Sequence, residues 1–235
     1  MDKDPVEESN RRPLAVRDVA LTRKVAIWLS NKNVTPNQIS LMSIVFAVVG
    51  YGVMLTYHFS PISYLLLIAA ATIQMRLLCN LFDGMVAIEG GKKTPAGELY
   101  NDVPDRIADP LFIIAAGFAT ESVFGMPLAW SSAIVAVLTA YVRVLGVAMG
   151  TPADFRGPMA KQHRMALLTV TYLLLFLQHT FVGLPDIFVY SMDAALLVML
   201  VGSVYTTWRR LAFISDYKTR SPSEDVQPNE KGSQC

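Results

Sequence analysis

The residues of this chain best suited to chemistry lie in one polar stretch, NLFDGMVAIEGGKKTPAGELYNDVPDRIAD, from Asn80 to Asp109. Asn80, Asp83 and Ala87 are three and four residues apart, so they share one face of a helix. Asn101, Asp105 and Asp109 are spaced by four and four and share a face of a second helix. Between them, Gly90-Gly91 and Thr94-Pro95 let the chain turn back, so the helices run antiparallel and the polar faces can meet. Gly84 leaves room beside the first face for a backbone or a ligand, and Gly97 lies between the triplets. Clustered carboxylates in an apolar setting repel one another. A divalent cation with oxygen ligands, its shell completed by phosphate, is the usual remedy. Capping and interfacial placement account better for any single Asp or Asn here. Two facing triplets point instead to chemistry at phosphate.

A second constellation is basic. Arg143 falls inside an apolar run, and Arg156, Lys161, His163 and Arg164 follow. Arginine binds phosphate in bidentate fashion and lysine as a point charge. Contact with lipid head groups is the competing use for Lys161 and Arg164. For Arg143 it is an internal ion pair.

Long apolar elements must position these groups. The chain has 235 residues, 53% hydrophobic and only 17% charged, with a mean hydropathy of +0.39. Soluble domains carry about 25% charged residues, so the deficit indicates a membrane protein. A span needs roughly 20 apolar residues. Six segments qualify: Ile39–Phe59, Ile62–Phe82, Ile107–Val123, Met126–Met149, Met165–Val182 and Phe188–Trp208. The expected fold is an all-α integral membrane bundle of six transmembrane helices. The loops around 58–61, 120–127 and 178–186 lack Lys and Arg, whereas the 83–106 and 150–164 segments and both tails are basic. The positive-inside rule then puts both termini in the cytoplasm, with Arg76 and Arg143 in the cytoplasmic halves of the second and fourth spans.

Val16–Leu29 reads as an amphipathic helix, with Val19, Val25, Trp28 and Leu29 as apolar surface and Arg17, Arg23 and Lys24 as charge. It is expected in the membrane interface. The predicted organisation is a flexible tail over 1–14, the interfacial helix over 15–33, the membrane domain over 34–214 and a flexible cytoplasmic tail over 215–235. Met1–Asn10 is acidic and polar, so no signal peptide is expected before the first span, and Cys79 and Cys235 are not expected to form a disulfide framework.

The stretch from Asn80 to Asp105 resembles the signature of the CDP-alcohol phosphotransferase family, Asp-x2-Asp-Gly-x2-Ala-Arg-x8-Gly-x3-Asp-x3-Asp. Here it reads Asn80-x2-Asp83-Gly84-x2-Ala87-Ile88-x8-Gly97-x3-Asn101-x3-Asp105, and every spacing agrees. Asn80 and Asn101 stand where the family has its first and third Asp, and Ile88 where it has Arg.

The resemblance implies transfer of a phosphoalcohol from a CDP-alcohol, with CDP-diacylglycerol as the expected donor, to an acceptor hydroxyl with release of CMP, in phospholipid synthesis. It implies Mg²⁺ or Mn²⁺ held by Asp83 and Asp105 with Asn80, Asn101 and Asp109, and Asp105 as the general base. Two carboxylates in place of four balance one dication, so one firmly held ion is expected and a second is weak. Asp102 is rotated by about 100° from the face of Asn101 and is not expected to replace it. Thr35-Pro36-Asn37 resembles the family's segment beside the cytidine nucleotide, although it is also a plain helix start. Gly84, Ala87 and Gly97 would be small so that the nucleotide can approach. Arg143, Lys161 and Arg164 would bind a phosphorylated or otherwise anionic acceptor. The family implies a homodimer in a bacterial inner membrane, with Ala115, Ala116 and Gly117 able to pack on a partner or within one bundle. No nucleic-acid partner is implied. A catalytically silent member that binds lipid or nucleotide, or scaffolds a membrane partner, is the alternative that the Asn substitutions and Ile88 keep open.

Overall fold

The computed structural model describes residues 20–92, 96–181 and 185–220. In chain order these form α1 (Ala20–Asn31), α2 (Pro36–Phe59), α3 (Tyr64–Glu89), α4 (Gly97–Ala116), α5 (Gly125–Ala148), α6 (Lys161–Thr180) and α7 (Ser191–Arg220), with short 3-10 turns at Gly117–Ala119 and Asp186–Tyr190. There is no strand among the described residues.

Among the described residues, four segments are long and apolar enough to cross a membrane: Pro36–Phe59, Tyr64–Ile88, Gly125–Ala148 and Ile187–Arg220. This is a multi-pass membrane protein. α4 and α6, at 20 residues each, have the length of a span but not its hydropathy. α4 holds Asp102, Asp105, Arg106 and Asp109 within the helix, and α6 opens on Lys161-Gln162-His163-Arg164. The third element therefore starts earlier and ends earlier than the expected Ile107–Val123. It spends its first half on the polar triplet instead of on an apolar run. α7 likewise stays helical to Arg220, past the expected domain end at residue 214.

α1 lies within the segment 15–33 expected as a helix; residues 15–19 lie outside the described residues. Ala26 is buried in a small cluster with Ile39, Met85 and Val86, while Ile27 and Trp28 are exposed. Thr35 starts α2 with a capping box: the Gln38 backbone N–H donates to Thr35 Oγ1 (3.3 Å), and the Thr35 N–H donates to Gln38 Oε1 (3.0 Å). Pro36 follows in the first turn, where its missing N–H costs nothing.

The long helices pack as a closed ring in the order α2, α3, α6, α7, α5, α4 and back to α2. Met54, Ile73, Phe112, Leu168, Leu196 and Met199 fill its interior, while Val48, Ile134, Val170 and Val201 face outward. An apolar outside as well as an apolar core is what a bundle solvated by lipid requires. α3 and α4, though consecutive in sequence, lie on either side of α2. Gly50 makes this possible. A Cβ there would come within 2.6 Å of Thr72 Oγ1 on α3 and 2.7 Å of Phe112 Cε1 on α4.

Ala115, Ala116 and Gly117 are buried against the chain's own helices, so this stripe is used up within one bundle. A Cβ at Gly117 would sit 2.9 Å from Ala129 Cβ on α5.

The loop from α5 to α6 is pinned to α7. Gly157 has φ +136, and a side chain there would collide with Thr206, 2.3 Å from its Cγ2. Two residues on, the Met159 N–H donates to Thr206 Oγ1 (3.2 Å). This anchoring sets where the basic first turn of α6 enters the ring.

Candidate active site

α3 carries Arg76, Asn80 and Asp83 at spacings of four and three, on one face. α4 brings Asp105 and Asp109 opposite, and α6 brings Lys161 and Arg164. Asn80 Nδ2 donates to Asp105 Oδ1 (2.6 Å), and Arg76 Nη2 donates to the same oxygen (2.9 Å). Lys161 Nζ donates to Asp105 Oδ2. One turn deeper, Arg76 Nη2 also donates to Asp109 Oδ1, and Arg164 Nη2 lies 3.5 Å from Asp109 Oδ2. The two polar helix faces thus meet as the spacing predicts. They meet through long side chains across the ring, because α2 holds the two backbones apart.

Arg76, Asp105, Asp109 and Arg164 are all buried. A buried charge persists only when it is paired, and removing one partner costs about 3–5 kcal/mol. Arg76 meets these carboxylates through Nη2 alone; its Nε and Nη1 are buried without a hydrogen-bond partner among the described residues.

Asp83 differs from the other two acids. It is also buried, at 5% exposure. Its oxygens accept only from neutral donors, Ser40 Oγ (2.7 Å) and the Gly84 N–H (2.5 Å). Among the described residues no Lys or Arg forms an ion pair with it. That is a buried carboxylate awaiting positive charge, and a hard dication with oxygen ligands fits it. Asn80, one turn away, and Asn101, exposed on α4, can add neutral oxygen donors. A second ion does not fit as well. Both oxygens of Asp105 and both of Asp109 already face cationic side chains.

A cavity of about 490 Å³ opens beside Asp105. Asn80, Asn101 and Asp105 line one wall, and Arg143, Lys161 and Arg164 another. The acidic signature and the basic constellation therefore share one space. Arg143 Nη2 is paired with Asp102 (3.0 Å) and its guanidinium lies over the Phe155 ring, 5.4 Å from the centroid. Asp102 also takes Arg106 Nη2 at 2.8 Å. Asp83 does not line this cavity. Neither do Thr35, Pro36, Asn37, Gly84, Ala87 or Gly97. Asp83 is reached instead from α2, where Ser40 donates to it one turn after Pro36.

In the loop before α6, Asp154 is buried, which pushes its carboxyl up. Hydrogen bonds from the Arg156 side chain and backbone, both 2.9 Å, outweigh this and hold it below the ordinary aspartate value.

Reasoning from sequence missed Arg76, Ser40, Asp102 and Phe155 as parts of the site. Arg76 had a signal: an arginine inside an apolar run, four residues before Asn80 on the same face. Asp102 was set aside by its rotation from Asn101, and it faces Arg106 and Arg143 instead. Ser40 and Phe155 had no signal, because their partners are distant in sequence.

Comparison with known proteins agrees with this architecture. The CDP-alcohol phosphatidyltransferase family profile matches residues 33–208. The inner membrane protein YnbA of Escherichia coli (strain K12) is 29% identical over 145 residues, covering 62% of this chain and 70% of that protein. The fold is similar to that of Mycobacterium tuberculosis phosphatidylinositol phosphate synthase in its crystal structure with CDP-DAG bound. There the TM-score is 0.68 at 18% identity, covering 91% of this chain and 100% of that one. The same enzyme in complex with manganese and citrate gives a TM-score of 0.67 at 20% identity, covering 83% and 88%. The profile spans α2 to α6 and most of α7, including every residue of the Asn80–Asp105 signature, and so this chain belongs to the CDP-alcohol phosphatidyltransferase family.

Proposed function

We propose that this protein transfers the phosphatidyl group of CDP-diacylglycerol to an acceptor hydroxyl and releases CMP, as a step of phospholipid synthesis. The observation that carries the reading is the shared cavity. Asp105 of the family signature and the basic residues Arg143, Lys161 and Arg164 line one space, with room for a small acceptor. The similarity to a fold crystallised with CDP-DAG supports the donor.

In this reading the acceptor lies in the cavity with its hydroxyl at Asp105. The hydroxyl proton passes to the Asp105 carboxylate. The oxygen forms a bond to the phosphorus that carries diacylglycerol, and the bridging bond to CMP breaks with its electron pair on CMP. An aspartate is a weak base, so its fixed position must supply much of the rate. Asn80, Arg76 and Lys161 provide that fixation. Thr35, Pro36 and Asn37, with Gly84, Ala87 and Gly97, border the nucleotide. One Mg²⁺ or Mn²⁺ would be held by Asp83 with Asn80, Asn101 and Asp105, and it would neutralise the pyrophosphate as CMP leaves. Arg143, Lys161 and Arg164 favour an anionic acceptor. The reading includes six spans with both termini cytoplasmic, in a bacterial inner membrane. It also includes a homodimer joined by a face other than the Ala115–Gly117 stripe.

The occupied state of Asp105 favours a second reading, a silent member that binds lipid or nucleotide without turnover. CMP release from CDP-diacylglycerol decides between them. Purified protein with Mg²⁺ or Mn²⁺ is tested across a panel of acceptor alcohols. Metal-dependent release stimulated by one acceptor is the expected result. Binding of CDP-diacylglycerol with no release under any acceptor selects the silent reading.

A further inference from the structure

The three buried acids of this centre are neutralised unequally. Asp83 accepts from a hydroxyl and a backbone N–H and, among the described residues, forms no ion pair with a Lys or Arg. Asp105 and Asp109 meet Arg76, and each also meets a cation from α6. Arg76 is completely buried and does not line the cavity; it reaches both carboxylates from behind. Such a placement cannot recruit substrate. What it can do is fix two carboxylates and supply permanent positive charge between them.

Resting on the function proposed above, we propose that Arg76 is the built-in cation of this centre. Its guanidinium gives Asp105 and Asp109 the charge that a second dication would otherwise have to bring, and it holds Asp105 in register with Asn80. The chain then binds one dication per copy, on the Asp83 side. Arg76 is a positioning residue, because it acts through Asp105 and touches no substrate. The Asn residues at 80 and 101 belong to the same arrangement. With a fixed guanidinium present, two further carboxylates would be superfluous; without it they would be needed.

Metal stoichiometry tests this without reference to activity. Purified full-length protein in detergent is titrated with Mn²⁺ alone, and free Mn²⁺ is read by electron paramagnetic resonance. The wild type is expected to bind one ion. Asn101→Asp, at an exposed position that does not disturb the core, adds a carboxylate while Arg76 remains. It is expected to stay at one tight ion, with any second at least tenfold weaker. Asn80→Asp with Asn101→Asp and Arg76→Gln is expected to bind two ions of comparable affinity. Arg76→Lys keeps the charge, and should keep both the one-ion stoichiometry and a measurable part of CMP release.

Two comparable ions in the wild type, or a second tight ion in Asn101→Asp, overturn the role given to Arg76. So does a folded triple variant that gains no ion. If the triple variant fails to fold, the wild-type and Asn101→Asp titrations decide alone. A wild type that binds no Mn²⁺, with or without CDP-diacylglycerol, removes the metal-dependent function itself. That result is distinct from one ion bound with no gain in the triple variant, which removes only the inference about Arg76.

Discussion

Asn80 Nδ2 sits 2.6 Å from Asp105 Oδ1, and this bridge ties the helix that carries Asp83 to the helix that carries Asp105. Beside Asp105 lies the cavity with Lys161 and Arg143. Asp83 is held by Ser40 of α2. Asp105 lines the cavity while tied to the helix that carries Asp83, the position that the proposed transfer requires of its base.

Asp105→Asn should lower CMP release by about 10²–10⁴-fold, the usual contribution of a general base. The carboxamide keeps an oxygen for Asn80 and Arg76 but removes a buried negative charge and turns an N–H2 towards Lys161, so the thermal midpoint should also fall, and activity is compared well below it. Full activity in this variant would remove Asp105 from the chemistry.

Lys161→Ala should raise the acceptor KM by about ten- to hundredfold, the loss of one charge-assisted hydrogen bond. The KM for CDP-diacylglycerol should stay within a factor of a few. An unchanged acceptor KM would mean that Lys161 serves only to hold Asp105.

Asp83→Asn should weaken Mn²⁺ binding by at least about a hundredfold without unfolding the protein. The carboxamide oxygen can accept from the Gly84 N–H, while the Ser40 hydroxyl can donate to the Pro36 carbonyl and accept from the new N–H2. Equal Mn²⁺ affinity in wild type and variant would place the ion elsewhere.

Gly50→Ala should destabilise the bundle by about 1–3 kcal/mol, because the new Cβ runs into Thr72 and Phe112. Gly52, two residues on, has open space around its Cβ direction. Gly52→Ala should be neutral or stabilising by up to about 1 kcal/mol through helix propensity. Thermal unfolding of the two variants side by side gives the comparison; equal effects would contradict the packing of α2 between α3 and α4.

Asp154 provides a pH test. Its carboxyl is held below the ordinary value in the folded protein, against about 3.9 in the unfolded chain. The stability it contributes is present above the unfolded value and is lost as pH falls through the folded one. Wild type and Asp154→Asn should therefore differ in thermal midpoint at pH 6, and the difference should shrink as the pH is lowered below about 4. A constant gap over that range would show that the charge of Asp154 contributes nothing.

Two scales of information separate in this protein. Local regularities of the chain determined the helical membrane character and the two polar faces. Charge depletion, apolar runs and three- and four-residue spacings are properties of neighbouring residues, so Asn80 and Asp83 on one face, and Asp105 and Asp109 on another, were legible directly. The start of α2 at Thr35 was legible for the same reason. The extent of α4 was not. Its acidic residues resemble a loop until Arg76 and Arg164 neutralise them from other helices. Tertiary structure alone decided which charges meet. Arg76 reaches Asp109, Lys161 reaches Asp105 and Arg143 turns to Asp102, while Asp83 is left with Ser40. Each pairing depends on the order of helices around the ring, and that order is set by how closely helices can approach at positions such as Gly50. The chain could therefore announce the groups of its centre, but only packing could assign them their partners.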